Sequence, residues 1–178
     1  IILTNAIDLS VGGTVAMCAI ILAKINLATG NLTLAVTLTL LVGALGGALN
    51  GYLVGYKRIP SFIVTLATMY LFGGIAQGLS EAETLTGLPE SFRMLGNGFF
   101  LHMPMQFWIF VFFAILFSFV LRRMRYGRNL RVIGFNPESA EYAGIHVAQT
   151  HLINYTVSGL MAALAALIFV SRISAAKS

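Results

Sequence analysis

Apolar residues run through this chain in five long blocks, roughly Leu9–Ala28, Leu32–Tyr56, Pro60–Ser80, Met103–Leu121 and His151–Arg172. Each approaches the roughly 20 residues that a helix needs to cross a hydrocarbon core. The pattern predicts an all-α fold, a polytopic transmembrane bundle of about five segments. Two polar stretches break it, Glu81–Leu101 and Arg122–Gln149.

Polar positions within the apolar blocks are few. Asp8 and Ser10 precede the first block, where they suit either a helix cap near Val11 or a polar break within the membrane. In the second block Gly43, Gly47, Gly51 and Gly55 recur every four residues. They share one helical face and predict close approach of another helix. Asn50 is the polar outlier there, suited to bonding across to a neighbour or lining a pathway. The third block carries Thr65, Thr68 and Gln77. Thr hydroxyls can bond their own helix's carbonyls, so they cost little in lipid. The fourth block is rich in Phe, with Trp108 near its start, and predicts a peripheral, lipid-facing helix. The fifth places Ser158, Ala162 and Ala166 on one face, with Gly159 and Ala163 beside them, another tight-packing signal.

The stretch Arg122–Gln149 contains a short helix signal. Asn136 suits an N-cap, Pro137 the first helical position, and Glu138 the first turn, where a carboxylate meets the positive end of the dipole. Gly144 stands where a left-handed residue closes a helix. About two turns cannot be stable alone in water, so this helix needs support from its surroundings.

Composition fits a membrane chain. Of 178 residues 58% are apolar and 10% charged, and mean hydropathy is +0.87. The net charge of +5 does not point to nucleic acid, because the basic residues cluster at segment ends. Lys57, Arg58, Arg122, Arg123, Arg125, Arg128 and Arg131 fall on one side of the expected topology. Lys24, Arg93, Arg172 and Lys177 fall on the other, so residues 122–150 are expected in the cytoplasm. Anchoring to anionic lipid is the expectation for Arg122, Arg123 and Arg125, whereas Arg128 and Arg131 suit either acidic partner surface or lipid headgroups. The single Cys18 allows no disulfide within the chain. The three His and scattered acids have no metal-ligand spacing, and phosphate-binding glycine and nucleophile-elbow motifs are missing. No catalytic set and no metal site are expected. Transport is the leading class, with few buried charges for ion coupling, so the energy is expected from a partner touching the Asn136–Gly144 helix.

Three stretches carry a family resemblance. They are Ile7-Asp8-Leu9-Ser10-Val11-Gly12; Asn50-Gly51-Tyr52-Leu53-Val54 followed by Ile59–Leu66; and Gly127-Arg128 followed by Ile133–Val147. Together with Ser158-Gly159 and Ala162–Ala165 they resemble the membrane subunit of bacterial ribose-type ABC importers, which also serve other monosaccharides and autoinducer-2. Asn5-Ala6, Gly13 and Ala166 depart from the family pattern. The resemblance implies the central portion of a single inner-membrane permease domain, 1–178, with both ends incomplete. It implies a second permease subunit, a cytoplasmic ABC ATPase and an extracytoplasmic sugar-binding protein, besides membrane lipid. It implies no cofactor in this chain, since ATP and Mg belong to the ATPase. The expected coupling residues are Gly134, Asn136, Pro137, Glu138, Glu141, Ala143, Gly144 and Ile145. The expected path residues are Asp8, Ser10, Asn50, Thr65 and Thr68. The expected cargo is a simple sugar; autoinducer-2 or a nucleoside, and ion-coupled secondary transport, are the alternatives.

Overall fold

The computed structural model describes residues 1–80, 92 and 96–175. The acidic stretch with Glu81, Glu83, Glu90 and Arg93, and also Lys177, lie outside the described residues. Among the described residues five helices are long and apolar enough to span a membrane. They are α1 (Val11–Thr29), α2 (Leu32–Gly55), α3 (Ser61–Ser80), α4 (Met105–Arg123) and α7 (Val147–Ala175). Two shorter helices, α5 (Arg125–Phe135) and α6 (Pro137–Tyr142), join α4 to α7. A 3-10 turn, Ile2–Thr4, precedes α1, and a two-stranded hairpin, Phe99–Phe100 (β1) with Met103–Pro104 (β2), precedes α4.

The helix ends follow local chemistry. Gly30 closes α1 in the left-handed region at φ 65°, with its N–H donating to Asn26 O at 2.8 Å. Asn31 then caps α2, its Oδ1 accepting from Leu34 N at 3.1 Å. The last helix begins at Val147 rather than near His151. Hydropathy does not see those first turns, because Gln149, Thr150 and His151 are polar although helical.

The central contact is α2 against α7, and it is made by small residues. A Cβ on Gly43 would lie 2.6 Å from Ala163 Cβ, and one on Gly51 2.6 Å from Leu152 Cα. At Gly47 it would collide with the Tyr155 carbonyl oxygen, and at Gly55 it would come within 2.5 Å of Ala148 O. The pairing runs 43 with 159 and 163, 47 with 155, 51 with 152 and 55 with 148, so the two helices are antiparallel. Backbones touch along the whole glycine face, which replaces the hydrophobic drive that lipid removes. The helix α1 packs beside α2, α3 and α7. Gly13 abuts the Met69 carbonyl of α3, and Cys18 is buried with Ala163 and Ala166 of α7.

By contrast, α4 buries no residue. Phe110, Phe112, Ile115 and Phe119 are exposed, as suits a helix bathed in lipid. Its C-terminal end meets α5, where Gly127 packs on the Leu121 carbonyl and Arg131 Nη2 donates to the same oxygen at 2.7 Å. That bond satisfies a carbonyl left open at a helix end. In α5 the inward residues are Gly127, Leu130 and Ile133, while Arg125, Arg128 and Arg131 are exposed.

Candidate functional site: an exposed capped helix and a polar hub

The short helix α6 is built as a rigid handle. Asn136 is extended at φ −157°, and its Oδ1 accepts from Ser139 N at 2.9 Å. Pro137 occupies the first turn, and Glu138 stands beside the helix N-terminus. At the other end Gly144 adopts φ 79°. Its N–H donates to Glu141 O at 3.0 Å and that of Ile145 to Ala140 O at 3.0 Å, a full Schellman closure. Ala140, at 0% exposure, joins Ile133 and Val147 in a small cluster on which Ile145 packs. One side of α6 is therefore anchored. The other side is bare: Tyr142 is 93% exposed, as is Phe135, 94%, at the end of α5 just before the cap.

A second tie reaches α6 from the α2–α3 turn. Arg58 Nη2 lies 3.1 and 3.3 Å from the two Glu141 carboxylate oxygens. Both side chains are exposed, so the pair adds little stability. Its geometric content is larger: it places the Lys57–Arg58 turn and residues 136–145 on one side of the bundle. A recess of about 420 Å³ lies between them, lined in part by Tyr56, Arg58, Glu141 and His146. Nearby, burial pushes the Tyr126 phenol above its ordinary range, and its hydroxyl donates to Asn154 Oδ1 at 2.9 Å.

The polar hub forms where the chain enters α1. Asp8 Oδ1 accepts from the Ser10 N–H at 3.0 Å and from Ser10 Oγ at 2.6 Å. Asp8 Oδ2 accepts from Ser158 Oγ of α7 at 2.7 Å. Asn50 Nδ2 of α2 donates to Ser10 Oγ at 2.9 Å. The Ile7 backbone is held on both sides, its N–H by Ser61 Oγ at 3.1 Å and its carbonyl by Tyr155 OH at 2.9 Å. Asp8 thus does not cap the free amides of α1. It binds its own loop to another helix, so both carboxylate oxygens have hydroxyl donors. Ser10 and Asn50 are almost wholly buried, and Asn50 Oδ1 has no hydrogen-bond partner.

Thr65 and Thr68 are also buried, and their hydroxyls bond carbonyls of α3 itself, Ser61 O at 2.8 Å and Val64 O at 3.0 Å. They are separate from the hub. Among the described residues no group of His, Cys, Asp and Glu can hold a metal ion.

A family model for the permease component of branched-chain amino acid transport systems matches residues 1–178. The chain belongs to this permease family. Similar relatives include the autoinducer 2 import system permease protein LsrD of Yersinia enterocolitica, 37% identical over all of this chain and 56% of that protein. Those of Klebsiella pneumoniae and Photorhabdus luminescens are each 36% identical over all of this chain and 55% of theirs. The chain therefore spans about half the length of the relatives it matches. No solved structure matches it. With its five apolar helices, the permease chain is a multi-pass protein of the bacterial inner membrane.

In this permease chain the expected coupling residues divide by position. Asn136, Pro137, Glu138, Glu141, Ala143 and Gly144 are exposed on or beside α6. Gly134 instead faces inward, where a Cβ would collide with the Leu3 carbonyl oxygen. Ile145 packs inward as well. Tyr155, Ser158 and Ser61 complete the hub and were not among the expected path residues. A Tyr in an apolar block was the available signal, since a buried phenol usually finds an acceptor.

Proposed function

We propose that this chain is the membrane-crossing part of an ABC import permease, and that α6 is the surface on which a separate cytoplasmic ATPase docks. The observation carrying this reading is the capped helix itself. Its inner face is fixed by Ala140, Ile133 and Val147, Tyr142 on it and Phe135 just before it are exposed to solvent, and its position beside the basic turn is held by Arg58 and Glu141. A short helix needs such fixation to transmit force rather than fray. The permease would work with a second permease subunit and an extracytoplasmic binding protein, and ATP and Mg would be bound by the ATPase. Asp8, Ser10 and Asn50 would border the path, with Thr65 and Thr68 lining the neighbouring α3.

The cargo is a small hydroxylated solute. The relatives are named for autoinducer 2, which makes it the first solute to test, followed by ribose and a nucleoside. The test uses the full-length permease with its ATPase and binding protein in proteoliposomes. ATP-dependent uptake of autoinducer 2 supports the reading. Uptake driven by a proton gradient without ATP would replace it with ion-coupled transport. Glu141→Lys sets an ammonium against Arg58, and Gly144→Arg forces a bulky residue into the left-handed region. Both should lose ATPase binding while still inserting in the membrane, and normal binding in both would sink the docking assignment.

A further inference from the structure

The segment Ile2–Ser10 lies between the two parts of the site. At its start, the turn Ile2–Thr4 packs on α5, and Gly134 abuts the Leu3 carbonyl and Thr4 Cα so closely that no side chain fits between them. Gly134 is in the last turn of α5, and Asn136, which caps α6, follows it closely. Any displacement of α6 therefore bears on Leu3 and Thr4 through backbone contact. Thr4 is buried, and its hydroxyl closes the turn on Ile1 O at 2.7 Å, so the turn moves as a unit.

At its far end the same segment is fixed to three membrane helices by side chains. Ser61 of α3 and Tyr155 of α7 hold the two backbone groups of Ile7. Ser158 of α7 holds Asp8, and Asn50 of α2 reaches Ser10. Between the two ends Asn5 sits at φ 55°, a sparsely populated conformation that the contacts on either side must maintain.

From this juxtaposition we infer that Ile2–Ser10 is a strap carrying motion from the docking helix to the packed pair α2 and α7, with Gly134 and Ser158 as positioning residues at its two ends. The inference rests on the docking reading above and adds the route by which docking reaches the membrane helices. A pull on Leu3 reaches Ile7 and Asp8, and the hydroxyls of Ser61, Tyr155 and Ser158 that hold them pass it to α3 and α7, while Asn50 ties Ser10 to α2.

The strap is testable without knowing the solute. In the full-length permease with Cys18 and any cysteine outside these residues replaced by Ala, Ile7→Cys places one thiol on the strap, where Ile7 is 52% exposed. The rate of maleimide labelling is measured with the ATPase bound, with and without ATP. ATP should change the rate by about tenfold, the size of an ordinary coupling free energy. Ser158→Ala should abolish that change while the ATPase still co-purifies, and Gly134→Ala should abolish it as well. If Gly134→Ala does not fold, Ser158→Ala and Tyr155→Phe interrogate the other end without adding volume. An unchanged ATP response in the folded variants would overturn the strap, as would no response in the otherwise unaltered protein with ATPase bound. Loss of ATPase binding by Gly144→Arg with an undiminished ATP response in Ser158→Ala would leave docking intact and refute the strap alone.

Discussion

Gly47→Ala sets two physical effects against each other. Helix propensity favours Ala over Gly by about 1 kcal/mol in a helix interior, so propensity alone predicts stabilisation. Packing predicts the opposite. A Cβ at Gly47 would lie 2.9 Å from the Tyr155 carbonyl carbon and 3.1 Å from Gly159 Cα, with the Tyr155 oxygen nearer still. Comfortable carbon contacts lie at about 3.5–4.0 Å, so α2 and α7 must separate by roughly 0.5–1 Å. Such a gap forfeits about a quarter to a half of each dispersion well along the seam, and overpacking of this kind costs about 1–3 kcal/mol. The atoms in the way are all backbone, which no rotamer change can move aside, so the cost falls at the upper end of that range and the net expectation is destabilisation by about 2 kcal/mol. Gly74→Ala on α3 is the control, because nothing lies within 4 Å of a Cβ there. Equilibrium unfolding of the full-length permease in mild detergent or bicelles, read by steric trapping, measures both. If Gly47→Ala proves as stable as the unaltered protein while Gly74→Ala is neutral or stabilising, the backbone-contact account of the α2–α7 seam is wrong.

Other expectations are smaller in scope. Asn136→Ala removes the bond to Ser139 N and should cost about 1 kcal/mol, read as faster amide exchange confined to α6. Tyr155→Phe leaves the Ile7 carbonyl without its donor and should destabilise the bundle by about 1 kcal/mol with no loss of ATPase binding; a neutral result would show that water or another group replaces the hydroxyl. Arg58→Ala breaks an exposed pair, so global stability should move by less than about 1 kcal/mol, and a larger loss would mean the pair is shielded in the assembled importer.

Much of the molecule follows from sequence alone. Length and continuity of the apolar blocks fix five membrane helices, because a bilayer admits few other solutions for backbone hydrogen bonds. The glycine spacing from Gly43 to Gly55 fixes which face of α2 is smooth. Asn136, Pro137 and Gly144 specify the ends of α6 because each residue type satisfies a requirement local to two or three peptide units. These are short-range determinants, and short-range patterns are legible in one dimension.

What sequence could not assign was pairing. Two small-residue faces were visible, on α2 and on α7, but only the fold sets them against each other. In the sequence Asp8 suits either a cap or an intramembrane polar break. Only tertiary structure supplies Ser158, from the far end of the chain, as the donor that settles how its carboxylate is satisfied. Gly134 looked like part of the docking loop, yet its close approach is to Leu3. The helix α5 was hidden beneath its five nearby arginines, since Gly127, Leu130 and Ile133 give only a narrow inward stripe. In each case the deciding partner is remote in sequence. Local propensity sets the ends and faces of helices, while the choice of neighbour depends on how those faces fit in three dimensions.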